Sequence, residues 1–165
     1  MKKKAIISIL LISAVIGWMY FIYSLSAEPA EVSSETSGRI VKKLCRIIQP
    51  EFDSWSHEEQ FEMTERYQFY IRKTAHFSAY TILSVLIGAA VCPHTNKNRY
   101  RLGIAFVVGV LYAISDEIHQ RFVPGRSGEV RDVLIDSAGV TLGCIILYIT
   151  FEFIRKRKLH NEKEN

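Results

Sequence analysis

Asp116, Glu117, His119 and Gln120 close an apolar run at 102–115, and Asp136 stands inside the next apolar run. Side chains of these types carry acid–base chemistry or ligate metals when they converge. Here they are embedded in apolar sequence, where an ionisable group is costly and marks a functional-site candidate by default. Arg72, Lys73 and His76 open an earlier apolar run, Arg126 follows a Pro124-Gly125 turn, and Asp132 precedes Asp136 by one helical turn. A guanidinium fork suits phosphate or carboxylate, so Arg72 and Arg126 point to an anionic ligand. A metal site would draw on His76, Asp116 and His119, with Glu117 as base. However, Asp-Glu-Ile-His only superficially resembles His-Glu-x-x-His. No Gly-x-Ser-x-Gly elbow or phosphate loop is present, which removes two common enzyme readings. A binding pocket requires fewer assumptions than catalysis, and we expect no metal or cofactor and assign no catalytic residue. In the enzymatic alternative, Glu117 or Asp116 serves as acid or base, with His76 or His119 assisting.

The elements that must position these residues follow from hydropathy. The 48% hydrophobic content is ordinary, but it is bunched into membrane-length runs separated by charged stretches. This predicts an all-α, polytopic helical bundle, a single domain over 1–165, with spans at about 5–23, 74–92, 102–120 and 133–151. The first run follows a basic start and has a passable cleavage site after Ser26. It is longer than a usual signal core of roughly 7–15 residues, which favours a retained span. Residues 24–73 form a loop: an extended Ser- and Glu-rich connector at 28–37, then an amphipathic helix at 38–49. That helix carries Ile40, Val41, Leu44, Ile47 and Ile48 on one stripe, suited to a bilayer surface or to packing on the protein. Ser56 to Glu59 fits a capping box, opening a helix that continues through Arg72 into the second span.

Charge sets orientation. The net charge of +4 does not indicate nucleic acid, because the basic residues flank apolar runs. Residues 1–4, 93–101 and 154–165 hold eleven of the 21 Lys and Arg within only 25 positions, which predicts both termini in the cytoplasm. Cys45, Cys92 and Cys144 are scattered, and no disulfide framework is expected.

In that topology the polar residues share the outer face. The 102–115 run gives roughly 21 Å of helix against a hydrocarbon core of about 30 Å, so the helix must carry Asp116 to Gln120 into the bilayer. Phasing puts Arg72, His76 and Tyr80 on one stripe, and Tyr112, Asp116 and His119 on a second, with Glu117 and Gln120 beside it. Asp132, Asp136, Gly139 and Gly143 form a third stripe, whose glycines have the small-xxx-small spacing of close helix approach. The bland readings are snorkelling for Arg72 and Lys73, and helix-start acids for Asp132 and Asp136. Asp116-Glu117 has no comparably cheap structural reading.

These residues resemble the VanZ-like family of small bacterial membrane proteins. The resemblance rests on Arg72-Lys73-x-Ala75-His76-Phe77-x-x-Tyr80 with Leu83 beyond, then Ser115-Asp116-Glu117-x-His119-Gln120-x-Phe122-x-Pro124-Gly125-Arg126. It continues in Asp132-Val133-x-x-Asp136-x-x-Gly139-x-x-x-Gly143 and covers essentially the whole chain. It implies a multi-pass cell-membrane protein related to the teicoplanin-resistance accessory protein of glycopeptide-resistance clusters, with no named enzyme activity. The family often has Asn near the Asp136 position and Ser-Ser-Gln after the first span, where this chain has Asp136 and Ser24-Leu-Ser-Ala-Glu28. The expected function is binding of an anionic, lipid-linked cell-wall precursor or a lipoglycopeptide through Arg72, Lys73, His76, Asp116, Glu117, His119, Gln120, Arg126, Asp132 and Asp136. The alternatives are an intramembrane enzyme acting on such a precursor, or a structural partner assembling through the Gly139/Gly143 face.

Overall fold

A computed structural model describes residues 2–164, with side chains placed for 2–161. Met1, Asn165 and the side chains of 162–164, which enter the terminal charge count above, lie outside the described residues. The described chain holds five α-helices and no strand: α1 (Lys2–Ser26), α2 (Ala30–Ile48), α3 (His57–Val91), α4 (Asn98–Gln120) and α5 (Val130–Glu164), with a 3-10 turn at Phe52–Ser54. Of these, α1, α3, α4 and α5 are long and apolar enough to cross a membrane. Ile9, Leu10, Val107, Leu111, Ile145 and Ile149 stay exposed on them, which is stable only where the surroundings are as apolar as the side chains.

α3 is the central helix and packs on α1, α2, α4 and α5. Its contact with α5 is close because Gly139 and Gly143 present no side chain there. A Cβ at Gly139 would lie 2.3 Å from the Phe77 carbonyl oxygen, and one at Gly143 would lie 2.5 Å from that of Thr81. Hydroxyls join the same seam: Thr81 Oγ1 donates to the Gly139 carbonyl at 3.0 Å, and Ser84 Oγ to that of Val140 at 3.0 Å. The glycine face is therefore covered within the chain. This corrects the expectation that it serves assembly with another subunit. α1 is tied in by Trp18 Nε1, which donates to Ala79 O at 2.9 Å, and by Tyr112 OH, which donates to Met19 O at 2.6 Å. Tyr80, Leu83, Ala105, Ala113 and Val140 fill the core between them.

The capping box forms as expected. Ser56 Oγ accepts from the Glu59 amide at 3.3 Å, and Glu59 Oε2 accepts from the Ser56 amide at 2.9 Å. The connector differs from expectation, since α2 begins at Ala30 rather than at 38. Ser37, Gly38, Val41 and Cys45 are buried, and Gly38 rests on Thr64 and Gln68 of α3. That packing, with Pro29 at the start and Glu31 in the first turn, carries helix through a Ser-rich segment whose intrinsic preference is only moderate. α2 packs by one edge and leaves Ile40, Leu44, Ile47 and Ile48 exposed.

Candidate functional site

One end of the bundle gathers the polar residues around a cavity of about 210 Å³. α3 lines it with Arg72, Lys73 and His76, α4 with Glu117 and Gln120, α5 with Asp132 and Asp136, and the α4–α5 loop with Arg126. Asp116 lies just beneath, 4% exposed, with one ligand atom within 4.8 Å of those of His76 and Asp136. Nine of the ten residues expected at the site are therefore brought together. The tenth, His119, turns elsewhere: its ring lies 4.7 Å from that of Tyr23 on α1, and it does not line the cavity. The metal reading built on His76, Asp116 and His119 is thereby corrected. Asp136 stands where His119 was expected.

Each acid has a distinct partner. Asp132 is held by Lys73 in a part-buried ion pair across α3 and α5, so Lys73 does not simply snorkel. Asp132 lies in the first turn of α5, where the macrodipole also favours it. Glu117 Oε1 accepts from the Glu129 backbone amide at 2.6 Å, fastening the loop just before α5. Its Oε2 is buried without a hydrogen-bond partner. Asp136, 2% exposed, faces His76 Nδ1 at 3.8 Å, an ion-pair distance rather than a hydrogen bond. Asp116 Oδ2 accepts from Ser26 Oγ at 2.8 Å and from Gln120 Nε2 at 3.3 Å.

The loop at 121–129 folds back over this end of the bundle. Gly125 adopts φ +73°, a conformation that costs glycine little, and a Cβ at Gly128 would lie 2.5 Å from Arg121 Cγ. Arg126 is thereby carried inward. Its Nε donates to Glu28 O at 2.8 Å, its Nη2 to Leu25 O at 3.0 Å and its Nη1 to Gln120 Oε1 at 3.3 Å. Burial, followed by the nearby Arg72 guanidinium, pulls the Arg126 pKa below its ordinary value, although a guanidinium stays charged. Neither arginine has an ion-pair partner among the described residues. Two neighbouring guanidiniums thus stand without a carboxylate at ion-pair distance, although Asp116, Glu28 and Glu117 lie close enough to Arg126 to favour its charge.

A second cavity, also about 210 Å³, lies between α1, α2 and α3 and shares Arg72, His76 and Arg126 with the first. Its remaining lining includes Ile22, Leu25, Ile40, Ile71 and Ala79, with Ser33 and Thr36 at its edge. The site thus has a polar and an apolar compartment meeting at the arginines. Sequence reading missed this second compartment, as well as Ser26 and the Glu129 amide. The signal for α2 was an exposed amphipathic stripe, and nothing in the spacing connects Ser26 to Asp116, 90 residues away.

No curated protein and no solved structure matches the chain. The family comparison, by contrast, spans nearly all of the bundle. Residues 11–152, from within α1 to within α5, match the family described as VanZ/LLP1, and the chain belongs to that family as a multi-pass membrane protein.

Proposed function

We propose that the paired compartments bind an amphiphilic anion of the bacterial cell envelope, a lipid-linked precursor or a lipoglycopeptide, on the outer face of the membrane. The observation that carries this reading is the position of Arg72 and Arg126. Both lack a carboxylate partner, and both border the polar and the apolar cavity. An anionic head group meets the Arg72 fork there and the positive charge of Arg126, whose own donors are largely taken by backbone carbonyls and Gln120. An attached chain continues among Ile22, Leu25, Ile40 and Ile71. The outer-face assignment rests on the basic residues at the other end of the bundle, at 2–4, 97–101 and 155–158. There, Asn98 Nδ2 meets Glu152 Oε1 at 3.3 Å, joining the start of α4 to α5.

The test is susceptibility to teicoplanin and vancomycin in a sensitive Gram-positive host, comparing wild type with Arg72→Gln and Arg126→Gln at matched membrane levels. The reading predicts teicoplanin-selective protection in wild type that both variants lose. Protection undiminished in both would contradict it. The buried, half-bonded Glu117 carboxylate supports a second reading, an intramembrane enzyme with Glu117 as acid or base. Glu117→Gln keeps the acceptor for the Glu129 amide but cannot transfer a proton. It therefore abolishes an enzymatic effect and leaves a binding effect largely intact.

A further inference from the structure

Beneath the polar cavity, His76, Asp116 and Asp136 bring one ligand atom each to within 4.8 Å of one another. They come from three different helices, and both carboxylates are nearly inaccessible, at 4% and 2% exposure. Carboxylates removed from water require compensating charge, and what the chain supplies here is meagre. Among the described residues, Asp136 has only His76 as a charged partner, at 3.8 Å. Both hydrogen bonds to Asp116 fall on Oδ2, from Ser26 and Gln120, leaving Oδ1 available. The cations nearby are otherwise placed: Lys73 is held by Asp132, and Arg126 is fixed by carbonyl oxygens and Gln120. A second observation points to the same spot. The Tyr80 hydroxyl, fully buried and with no acceptor inside hydrogen-bond distance among the described residues, faces Asp116 and Asp136 and lies near enough to Asp116 to bond to it after a small shift. Glu117 Oε2, on the cavity wall beside His76 and Asp136, is likewise buried without a partner.

We propose that His76, Asp116 and Asp136 form a divalent-cation site at the floor of the polar cavity. The mixed nitrogen and carboxylate donors suit Zn²⁺ or Mn²⁺ rather than Ca²⁺ or Mg²⁺, which favour all-oxygen shells. Donor atoms around a tetrahedral zinc lie about 3.4 Å apart, so the present separations require contraction of about an ångström. Side-chain rotation at His76, which is a quarter exposed, provides for part of that movement. Three protein ligands leave at least one coordination position, and the adjacent cavity supplies Arg72 and Arg126 as further positive groups. The site differs from the sequence expectation, which has no metal, and it stands on its own geometry whether or not the lipid reading holds.

The test uses the full chain purified in detergent through a non-histidine tag, stripped with chelator and titrated with Zn²⁺, Mn²⁺ and Mg²⁺. Bound metal is read by calorimetry and elemental analysis without added lipid. Expected is about one Zn²⁺ or Mn²⁺ per chain, weakened about tenfold or more in His76→Gln, Asp116→Asn and Asp136→Asn, unchanged in His94→Ala, and far weaker for Mg²⁺. Pulsed EPR of Mn²⁺ on the wild-type chain adds a readout that needs no variant, namely one directly bound histidine nitrogen. Absence of saturable binding overturns the proposal, as does full affinity in all three variants or an Mn²⁺ spectrum without nitrogen coupling.

Discussion

Asp116 is nearly inaccessible, and it accepts from Ser26 of α1 and Gln120 of its own helix while approaching His76 and Asp136. An acid pair closing a short apolar run has no inexpensive structural role, and both Asp116 and Glu117 are indeed buried. The neighbours were less legible. Helical phase places His119 near Asp116, but phase does not say which helix each angle meets. His119 meets Tyr23 of α1, while Asp116 meets Ser26 and Gln120 and approaches His76 and Asp136. Ser26 reads in sequence as a small residue before a cleavage point, yet in the fold it is fully buried and donates to a carboxylate. Ser26→Ala removes a bond to a buried charge and is expected to destabilise the protein by about 1–3 kcal/mol. Thermal unfolding in detergent measures this, with Ser24→Ala as a control, because Ser24 bonds only to its own helix at an exposed position.

Among the elements, the spans and the capping box were readable because their signals are local: hydropathy over about 20 residues, and a Ser–Glu spacing. The start of α2 was not readable, because burial of Ser37 and Gly38 against Thr64 and Gln68 overrides local preference. The glycine stripe was found correctly, and its partner proved to be α3 of the same chain. Gly139→Val must push against the Phe77 backbone, which cannot rotate away as a side chain can. The expected loss is about 1–3 kcal/mol or more, with lower membrane levels and a lower unfolding temperature. Gly17→Ala meets nothing within 4 Å and serves as the neutral control. The exposed stripe of α2 carries its own prediction. A fluorophore on Ile47→Cys is quenched by brominated lipid if α2 lies on the bilayer surface. One on Asp53→Cys, in the exposed turn that follows, is quenched less. Equal quenching would mean that α2 stands away from the membrane.

For the whole molecule, the polar cluster lies where the last turns of α1 and α4, the first turns of α5 and the middle of α3 meet, at the start of the apolar part of α3. The convergence was legible because alternating spans bring those span ends to one face. The apolar compartment was not, since it depends on α2 folding back beside α1 and α3. The orientation is open to direct measurement in intact cells. With the three native cysteines replaced, Ser54→Cys is expected to react with an impermeant maleimide and His160→Cys only after lysis. The reverse pattern would place the site on the cytoplasmic face.

The central claim, that two arginines without ion-pair partners receive the head of an amphiphilic anion, is tested most directly by lipid binding to the purified protein. Native mass spectrometry would compare a polyprenyl monophosphate with the corresponding neutral alcohol, for wild type, Arg72→Gln and Arg126→Gln. The account predicts about a tenfold preference for the phosphate in wild type, corresponding to about 1.4 kcal/mol. That preference should fall in each variant, with little change in alcohol binding. Equal binding of phosphate and alcohol by wild type, or an undiminished preference in both variants, would contradict it.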